Sequence, residues 1–218
     1  MKLLAAEQDI LNGMVERRPD LKPCVEKIMM LHQELVRCYD NGGKLLTCGN
    51  GGSAADAMHI VGELCKSFAR RRPLRAELVI KLQDFPMGTE LARHLEIGLP
   101  AITLGQNDAL RSAIENDSPL RHIGFAQEAC ALGKPGDVLI ALSTSGNAQN
   151  CLMAMSIAKA VGIRTVSLTG PDGGQMAPLA DLAIKAPGAT TPLIQEAHEA
   201  IYHTFCLMIE VHYFPEMR

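Results

Sequence analysis

Short apolar runs alternate with longer amphipathic segments along this chain. Five runs have the length and composition of buried strands: residues 44–48, 100–104, 138–142, 163–168 and 182–186. Apolar residues at helical spacing predict the main helices, over residues 1–17, 21–41, 53–67, 119–132, 148–161 and 193–213. Such alternation indicates an α/β fold with a mostly parallel, doubly wound sheet of about five strands.

Two of the predicted helices precede the first strand, and their apolar faces need a surface to cover. Prolines at positions 19 and 23 mark the break between them. The covered surface is either the sheet of the same chain or a neighbouring subunit, and the pattern leaves both open.

The stretch from residue 69 to residue 98 is less regular than the rest. A cluster of four arginines opens it: Arg70, Arg71, Arg72 and Arg75. A further candidate strand over residues 78–82 and a short helix over residues 89–96 follow. The arginines either face solvent, as charge runs usually do, or bind an anionic substrate.

Length and composition limit the class of protein. A chain of 218 residues builds one sizeable core, so we expect a single domain over residues 1–218. The net charge of −3 argues against a dedicated nucleic-acid binder. No signal peptide or membrane-spanning run is recognisable, so no membrane association is expected. Seven cysteines without a CxxC pair predict free thiols and a soluble, cytoplasmic protein.

The first candidate site is the sequence KLLTCGNGGSAADAMHIVGE at residues 44–63. It reads as a strand, a glycine-rich turn and a helix start, which together present free N–H groups and a positive helix dipole to an anion such as phosphate. Ser53 is expected at or near the N-cap. His59 and Glu63 project from one face of the helix, as an ordinary surface pair or as part of a site.

A second turn of the same kind follows the run at residues 138–142. Its sequence is Ser143-Thr144-Ser145-Gly146-Asn147, and its hydroxyls and helix start form another phosphate cradle. Both turns are expected at the carboxyl edge of the parallel sheet. Gln195 and His203 lie eight residues apart on the last helix, about two turns, so they can address one site.

Taken together and in this order, GNGGSAADAMHIVGE, END, LSTSGN, LTGPDGG and IQEAHEAIYH resemble the SIS (sugar isomerase) superfamily and, within it, the phosphoheptose isomerase family. The resemblance implies a flavodoxin-like three-layer αβα domain that forms a homotetramer with active sites between subunits. It implies conversion of sedoheptulose 7-phosphate to D-glycero-D-manno-heptose 7-phosphate through an enediol. Residues 1–42 would contribute to the oligomer interface, and residues 70–98 would be an insertion.

The resemblance also implies a role for each motif residue. Substrate binding falls on Asn50, Gly51, Gly52, Ser53, Glu63, Asn116, Asp117, Ser143, Thr144, Ser145 and Gln195, of which the residues at 143–145 would hold the phosphate. One zinc ion per subunit is implied on His59, Glu63, Gln195 and His203. Glu63 and His203 also match the base and acid of the family. The two roles of Glu63 compete, because a carboxylate bound to zinc is a poorer base.

Three positions depart from the family pattern and put the identity of the sugar in question. Ser67 replaces an arginine, Ala148 a serine and Pro192 an aspartate. Two other functions stay open: a sugar-phosphate-binding regulator or adaptor without catalysis, and an isomerase of another phosphorylated ketose. Without the resemblance, the histidines fit packed structural residues as well as zinc ligands. His198 either supports the site or is simply packed.

Overall fold

The computed structural model describes residues 3–215 and places a parallel sheet between two layers of helices. The strands are β1 (Leu45–Cys48), β2 (Ala101–Thr103), β3 (Val138–Ser143), β4 (Arg164–Thr169) and β5 (Leu182–Lys185). Their order across the sheet is β2-β1-β3-β4-β5. This is the flavodoxin-like order, in which the chain changes direction across the sheet between β1 and β3. The predicted fold class is confirmed, and every strand pair is parallel.

Ten α-helices surround this sheet within residues 3–215. They are α1 (Ala5–Arg17), α2 (Val25–Asp40), α3 (Gly52–Cys65), α4 (Ala76–Leu82), α5 (Gly88–His94), α6 (Asp108–Asp117), α7 (Gly124–Leu132), α8 (Gln149–Val161), α9 (Met176–Leu179) and α10 (Thr191–Tyr213). A 3₁₀ helix, Pro19–Cys24, occupies the break predicted between the first two. None of these helices is both long and apolar enough to cross a bilayer.

One apolar cluster packs on each face of the sheet. On one face, α1, α3 and α10 contribute Leu11, Ile60 and Phe205. On the other face, α8 and α9 contribute Met155 and Met176. Each such buried side chain stabilises the fold by about 1.5–3 kcal/mol. All six positions of β3 are buried, as expected for a central strand covered on both sides.

The two leading helices pack on their own chain. α1 lies against α10, and α2 lies against α10 and β5. Of the two surfaces considered for these helices, the structure therefore supplies the one within the chain. A contribution of residues 1–42 to a subunit interface stays a prediction, and residues 1 and 2 lie outside the described part of the chain.

Two predicted elements are wrong or misplaced. Residues 78–82 lie in helix α4 and not in a strand. Val79 and Ile80 favour a strand, but the flanking Ala, Glu, Leu and Lys favour a helix, and strand propensity needs a partner strand to be expressed. The helix predicted from residue 119 begins at Gly124, because His122 has a left-handed backbone with φ of 68° that a helix cannot accommodate.

Arg72 is fully buried, which neither interpretation of the arginine cluster anticipated. Its guanidinium pairs with the Glu210 carboxylate at 2.8 Å. It also donates to the backbone oxygens of Leu64 at 2.8 Å and Glu63 at 3.1 Å. These carbonyls belong to the last turn of α3, where a cation satisfies acceptors that the helix leaves unpaired. Arg72 therefore fixes the end of α3 that carries Glu63.

Glu210 completes this buried network from α10. Its carboxylate accepts the backbone N–H groups of Phe68 and Ala69, each at 2.8 Å. The charge pair is thus hydrogen bonded on both sides, as a buried ion pair requires. It joins α3, α10 and the segment between α3 and α4.

We predict that Glu210→Gln lowers the free energy of unfolding by about 3–5 kcal/mol, because Arg72 would keep a buried charge without its partner. Urea denaturation at neutral pH measures this change. Glu90→Gln is the matched control: Glu90 pairs with Arg93 on the exposed surface of α5, so its loss should change the stability by less than about 0.5 kcal/mol. Similar small effects from both substitutions would contradict the structural role of the buried pair.

Candidate active site

The two glycine-containing turns lie side by side at the carboxyl edge of the sheet. β1 pairs with β3 from Leu45↔Val138 to Cys48↔Ala141, so the turns that follow these strands are neighbours. Asn50 Nδ2 donates to Asn150 Oδ1 at 2.9 Å, and Asn150 Nδ2 donates to Asn50 Oδ1 at 2.8 Å. This reciprocal amide pair links the first turn to the start of α8. The sequence analysis did not select Asn150. Its only signal in the sequence is its place in the first turn of the helix that follows the second glycine-containing turn.

The first turn leads directly into α3. Gly51 has a φ of 54°, which favours glycine, and it precedes the first helical residue, Gly52. No side chain caps this helix start, so its free N–H groups stay available to an anion. Ser53 is the second residue of the helix and is 4% exposed. It therefore lies near the N-cap, as predicted, but inside the first turn.

The second turn brings its hydroxyls together in a similar way. Ser143 ends β3, and its Oγ lies 3.4 Å from the Oγ of Ser145, which also accepts the N–H of Asn147 at 3.2 Å. Ala148 is the N-cap of α8 and offers no side-chain cap. Replacement of the usual serine thus removes one hydroxyl but leaves the helix start open to an anion.

α10 crosses the start of α3 closely. A Cβ at position 52 would lie 2.9 Å from the Gln195 Cδ and would collide with the Gln195 amide nitrogen. Only glycine at this position leaves room for the Gln195 side chain. The first cradle and the predicted ligand on α10 are therefore in direct contact.

His59 is at the centre of the site. Its Nε2 lies 3.0 Å from Glu63 Oε1, and its Nδ1 lies 3.0 Å from the Tyr202 hydroxyl. The Tyr202 hydroxyl has one proton, which it donates either to His59 Nδ1 or to Asp56 Oδ1 at 3.4 Å. Glu63 is 9% exposed, and its second oxygen, Oε2, makes no hydrogen bond within residues 3–215. Glu63, the predicted base, is therefore held through Oε1, while Oε2 has no hydrogen-bond partner among the described residues.

His203 approaches the same group from α10. Its ring centroid is 5.0 Å from that of His59. Burial, followed by the proximity of His59, lowers the pKa of His203, so the imidazole is neutral at neutral pH. Its Nε2 is buried without a hydrogen-bond partner among the described residues. A buried ring nitrogen in this state is ready to accept a ligand or a metal.

A cleft of about 400 Å³ opens between α3 and α10 beside these residues. Asp56, Gln195 and Glu199 line it together with His59. Burial raises the pKa of Asp56, although a hydrogen bond from Tyr202 opposes this effect. Gln195, Glu199 and His203 recur every four residues along one face of α10. Glu199 lies within the IQEAHEAIYH motif, but the sequence analysis assigned it no role.

The donors in this cleft suit zinc. His59, Glu199 and His203 offer ligand atoms that all lie within 4.8 Å of one another. Two imidazoles and a carboxylate are common zinc ligands, and the unpartnered His203 Nε2 has no other use in the fold. Both nitrogens of His59 are engaged, so coordination by His59 requires it to give up either Glu63 or Tyr202.

Comparisons with known proteins agree with the family resemblance of the sequence motifs. The SIS domain family model matches residues 22–97 and 83–170. A phosphoheptose isomerase from Aneurinibacillus thermoaerophilus is 39% identical over 209 residues, 93% of this chain and 93% of that protein. One from Helicobacter pylori strain P12 is 39% identical over 197 residues, 88% of this chain and 90% of that protein. This chain belongs to the phosphoheptose isomerase family.

Solved structures of the family have the same fold. A phosphoheptose isomerase from Neisseria gonorrhoeae matches with a TM-score of 0.71 and 30% identity, covering 91% of this chain and 94% of that chain. One from Francisella tularensis gives a TM-score of 0.72 and 27% identity, covering 93% and 95%. The sugar isomerase domain of an RpiR transcription factor from Sphaerobacter thermophilus matches at 0.54 and 16% identity, covering 94% and 86%. At that identity the likeness concerns the fold alone.

Asn116 and Asp117, which the family resemblance selected, form no hydrogen bond with this cluster within residues 3–215. Asn116 and Asp117 are exposed at the end of α6, where the Asn116 amide donates to the Asp117 carboxylate at 2.9 Å. Their role in substrate binding stays a prediction. Ser67, at the position of the family arginine, binds Glu96 through its N–H at 2.9 Å and its hydroxyl at 2.7 Å. It therefore closes the base of the 70–98 segment.

His198 is packed, the second of the two interpretations given for it. It is fully buried on α10, and its Nε2 donates to the Thr169 carbonyl oxygen at 3.1 Å. Its Nδ1 is buried with no partner among the described residues. Burial lowers the pKa of His198 to about 4. The residue holds α10 to the end of β4 as a neutral ring.

We predict that His198 makes stability depend on pH. Its pKa is about 4 when folded and about 6.5 when unfolded. The unfolded chain binds more protons between these values, so stability falls as pH drops through this window, by about 2 kcal/mol from pH 7 to pH 5. Urea denaturation of His198→Gln at both pH values should show a pH-dependent loss that is smaller by about this amount. His94→Gln, at an exposed histidine, should keep the full loss, and the same loss in both variants would contradict the assignment.

Proposed function

We propose that this protein is an aldose–ketose isomerase that converts sedoheptulose 7-phosphate to D-glycero-D-manno-heptose 7-phosphate through an enediol. Family membership supports the reaction class. The observation that carries the proposal is the meeting of Glu63, His59 and His203 beside two anion-binding turns that Asn50 and Asn150 join.

The second turn binds the phosphate of the substrate. The hydroxyls of Ser143, Thr144 and Ser145 and the uncapped start of α8 supply donors and a positive dipole. The first turn, at residues 50–53, binds the sugar hydroxyls next to the His59 cluster. Asn116 and Asp117 contribute further substrate contacts, as the family resemblance implies.

Glu63 is the base. His59 holds its Oε1, while Oε2 makes no hydrogen bond and lies 3.8 Å from Lys66 Nζ. The carboxylate takes the proton from C1 of the ketose and returns it to C2 of the enediol. Because Oε2 has no hydrogen-bond partner among the described residues, it is available to accept the substrate proton.

His203 transfers protons to and from the substrate oxygens at C1 and C2. Its neutral imidazole donates to the carbonyl oxygen at C2 as the enediol forms, and it recovers a proton from the hydroxyl at C1 as the aldehyde forms. The lowered pKa keeps the ring neutral, so His203 donates its ring N–H proton to one substrate oxygen and takes a proton back from the other without introducing a fixed charge. The reaction then has no net gain or loss of protons.

The family resemblance implies one zinc ion per subunit on His59, Glu63, Gln195 and His203, and we further propose that Glu199 supplies the carboxylate ligand in place of Glu63. Bound zinc would supply Lewis-acid polarisation of the substrate oxygens. Glu199 lies within the compact donor group of His59 and His203, whereas Glu63 is hydrogen bonded to His59. Coordination by Glu199 leaves Glu63 free as the base, which favours a division of the two roles.

A homotetramer with active sites between subunits is the proposed assembly. Six large apolar side chains are exposed on α4, on α5 and on the residues that join or follow them: Leu78, Ile80, Phe85, Met87, Leu91 and Leu95. An apolar surface of this kind supports burial against another subunit. It also supports residues 70–98 as an insertion that extends the interface beyond residues 1–42.

We propose the cytoplasm as the compartment. All seven cysteines are free thiols. A reducing compartment keeps them in that state, and none of them is needed as a covalent link between elements.

The fold by itself does not separate an enzyme from a sugar-phosphate-binding regulator, because the RpiR domain shares it. A regulator needs the phosphate-binding turns but has no use for a carboxylate oxygen without a hydrogen bond beside a neutral imidazole. The Glu63 and His203 pair therefore favours the enzyme.

The isomerase proposal predicts that Glu63→Gln lowers kcat by about 10²–10⁴-fold, because the amide cannot accept the C1 proton. Product formation from sedoheptulose 7-phosphate is followed by NMR, with five- and six-carbon ketose phosphates in parallel, and substrate binding by calorimetry. Binding should persist in the variant. Glu77→Gln, at an exposed residue of α4, is the control and should keep full activity. Wild-type protein that binds these sugars but isomerises none of them is a regulator.

The division of carboxylate roles predicts that Glu199→Gln weakens zinc binding in the cleft by at least about tenfold, because a neutral amide is a poorer ligand. Competition with a chromophoric chelator measures the affinity, and His203→Asn provides the reference for a disabled site. Glu90→Gln, at the exposed carboxylate of α5 outside the cleft, is the control. Equal affinities for Glu199→Gln and Glu90→Gln would assign the carboxylate role to Glu63.

A further inference from the structure

A second group of ligating side chains lies where α1, α2 and α10 meet. Glu7 is in the first turn of α1, His32 is on α2, and His212 is in the last turn of α10. Glu7 Oε1 lies 2.8 Å from His212 Nδ1 and 3.2 Å from His32 Nε2. The proposed isomerase reaction uses none of the three, so this group needs an explanation of its own.

Hydrogen bonding alone leaves His32 unsatisfied. The residue is 0% exposed, and neither ring nitrogen makes a well-aligned hydrogen bond within residues 3–215, although the Glu7 carboxylate and the Met208 backbone lie beside the ring. Its Nε2 is close enough to Glu7 Oε1, but the ring N–H is not aligned with that oxygen. A buried polar ring without a partner costs free energy that a fold normally avoids.

A shared ion would explain why the His32 ring N–H is not aligned with Glu7 Oε1. Two atoms that bind one cation point at the cation and not at each other. Around tetrahedral zinc, with bonds of 2.0–2.1 Å, neighbouring ligand atoms are about 3.3 Å apart. The 3.2 Å between Glu7 Oε1 and His32 Nε2 is close to this value, whereas the 2.8 Å between Glu7 Oε1 and His212 Nδ1 is a hydrogen bond that a bound ion would replace. All three donor atoms lie within 4.8 Å of one another.

The surroundings orient and prepare these donors. Glu7 Oε2 accepts the Leu4 backbone N–H at 2.7 Å, which fixes the carboxylate while Oε1 faces the imidazoles. Burial lowers the pKa of His32, so its ring is neutral, the form that binds metal. The His212 side chain is 21% exposed, which provides an entry path for an ion.

From this geometry we propose that Glu7, His32 and His212 bind a divalent cation of the zinc class, and that this ion fastens α1 to α2 and α10. Two imidazoles and one carboxylate from three separate helices form the ligand set. Because these residues come from both ends of the chain, the bound ion stabilises the folded state over the unfolded one. The inference is independent of the isomerase reaction.

The test uses tag-free full-length protein with the substitutions His59→Asn and His203→Asn, which disable the cleft. We expect this protein to retain one zinc per chain by elemental analysis after dialysis. Zinc at about a hundred times Kd should raise its Tm by about 5 °C or more. Adding Glu7→Gln should abolish both effects, because the amide keeps the side-chain shape and the Leu4 contact but loses the charge.

Glu16→Gln is the matched control, at an exposed carboxylate on the same helix, and it should leave zinc binding unchanged. Circular dichroism checks folding. If Glu7→Gln does not fold, His212→Asn at the more exposed ligand decides the question, again with loss of zinc expected. Equal zinc content in the ligand variant and the control, or no zinc in the starting protein, would overturn the proposal and leave a purely hydrogen-bonded cluster.

Discussion

The direct parallel pairing of β1 with β3 is the constraint on which the rest of the site depends. Strand order β2-β1-β3-β4-β5 places the change of direction between these two strands, so both loops that follow them open at one edge. Two uncapped helix starts, those of α3 and α8, therefore face one crevice. The Asn50–Asn150 amide pair connects the loops and fixes their spacing.

α10 couples this crevice to the core. Its buried face carries His198, bound to Thr169, and Glu210, bound to Arg72. Gln195 and His203 lie eight residues apart on its other face, which is turned toward α3. The helix cannot shift without breaking buried polar contacts, which are expensive to lose in a low-dielectric interior. The positions of Gln195 and His203 are thus maintained by buried polar groups on the opposite face of α10.

The proposed active-site groups make fewer hydrogen bonds than the groups that hold them in place. Glu63 Oε2 and His203 Nε2 are buried and lack hydrogen-bond partners among the described residues. Each such atom costs stability, and the apolar clusters on both sides of the sheet offset the cost. Buried polar atoms without hydrogen-bond partners are common where a protein must bind a ligand.

The sequence by itself determined the α/β class, both glycine-containing turns and the helix that carries His59 and Glu63, because strand length, glycine and helical spacing are local signals. Only the tertiary structure decided which residues meet across long separations: Asn150 with Asn50, Glu199 with His59, and Arg72 with Glu210. The helix over residues 76–82 was missed for a related reason, since the presence or absence of a partner strand is not encoded in the segment. Burial of Arg72 likewise depends on α10, whose position follows from strand order, and no pattern within the arginine cluster reveals it.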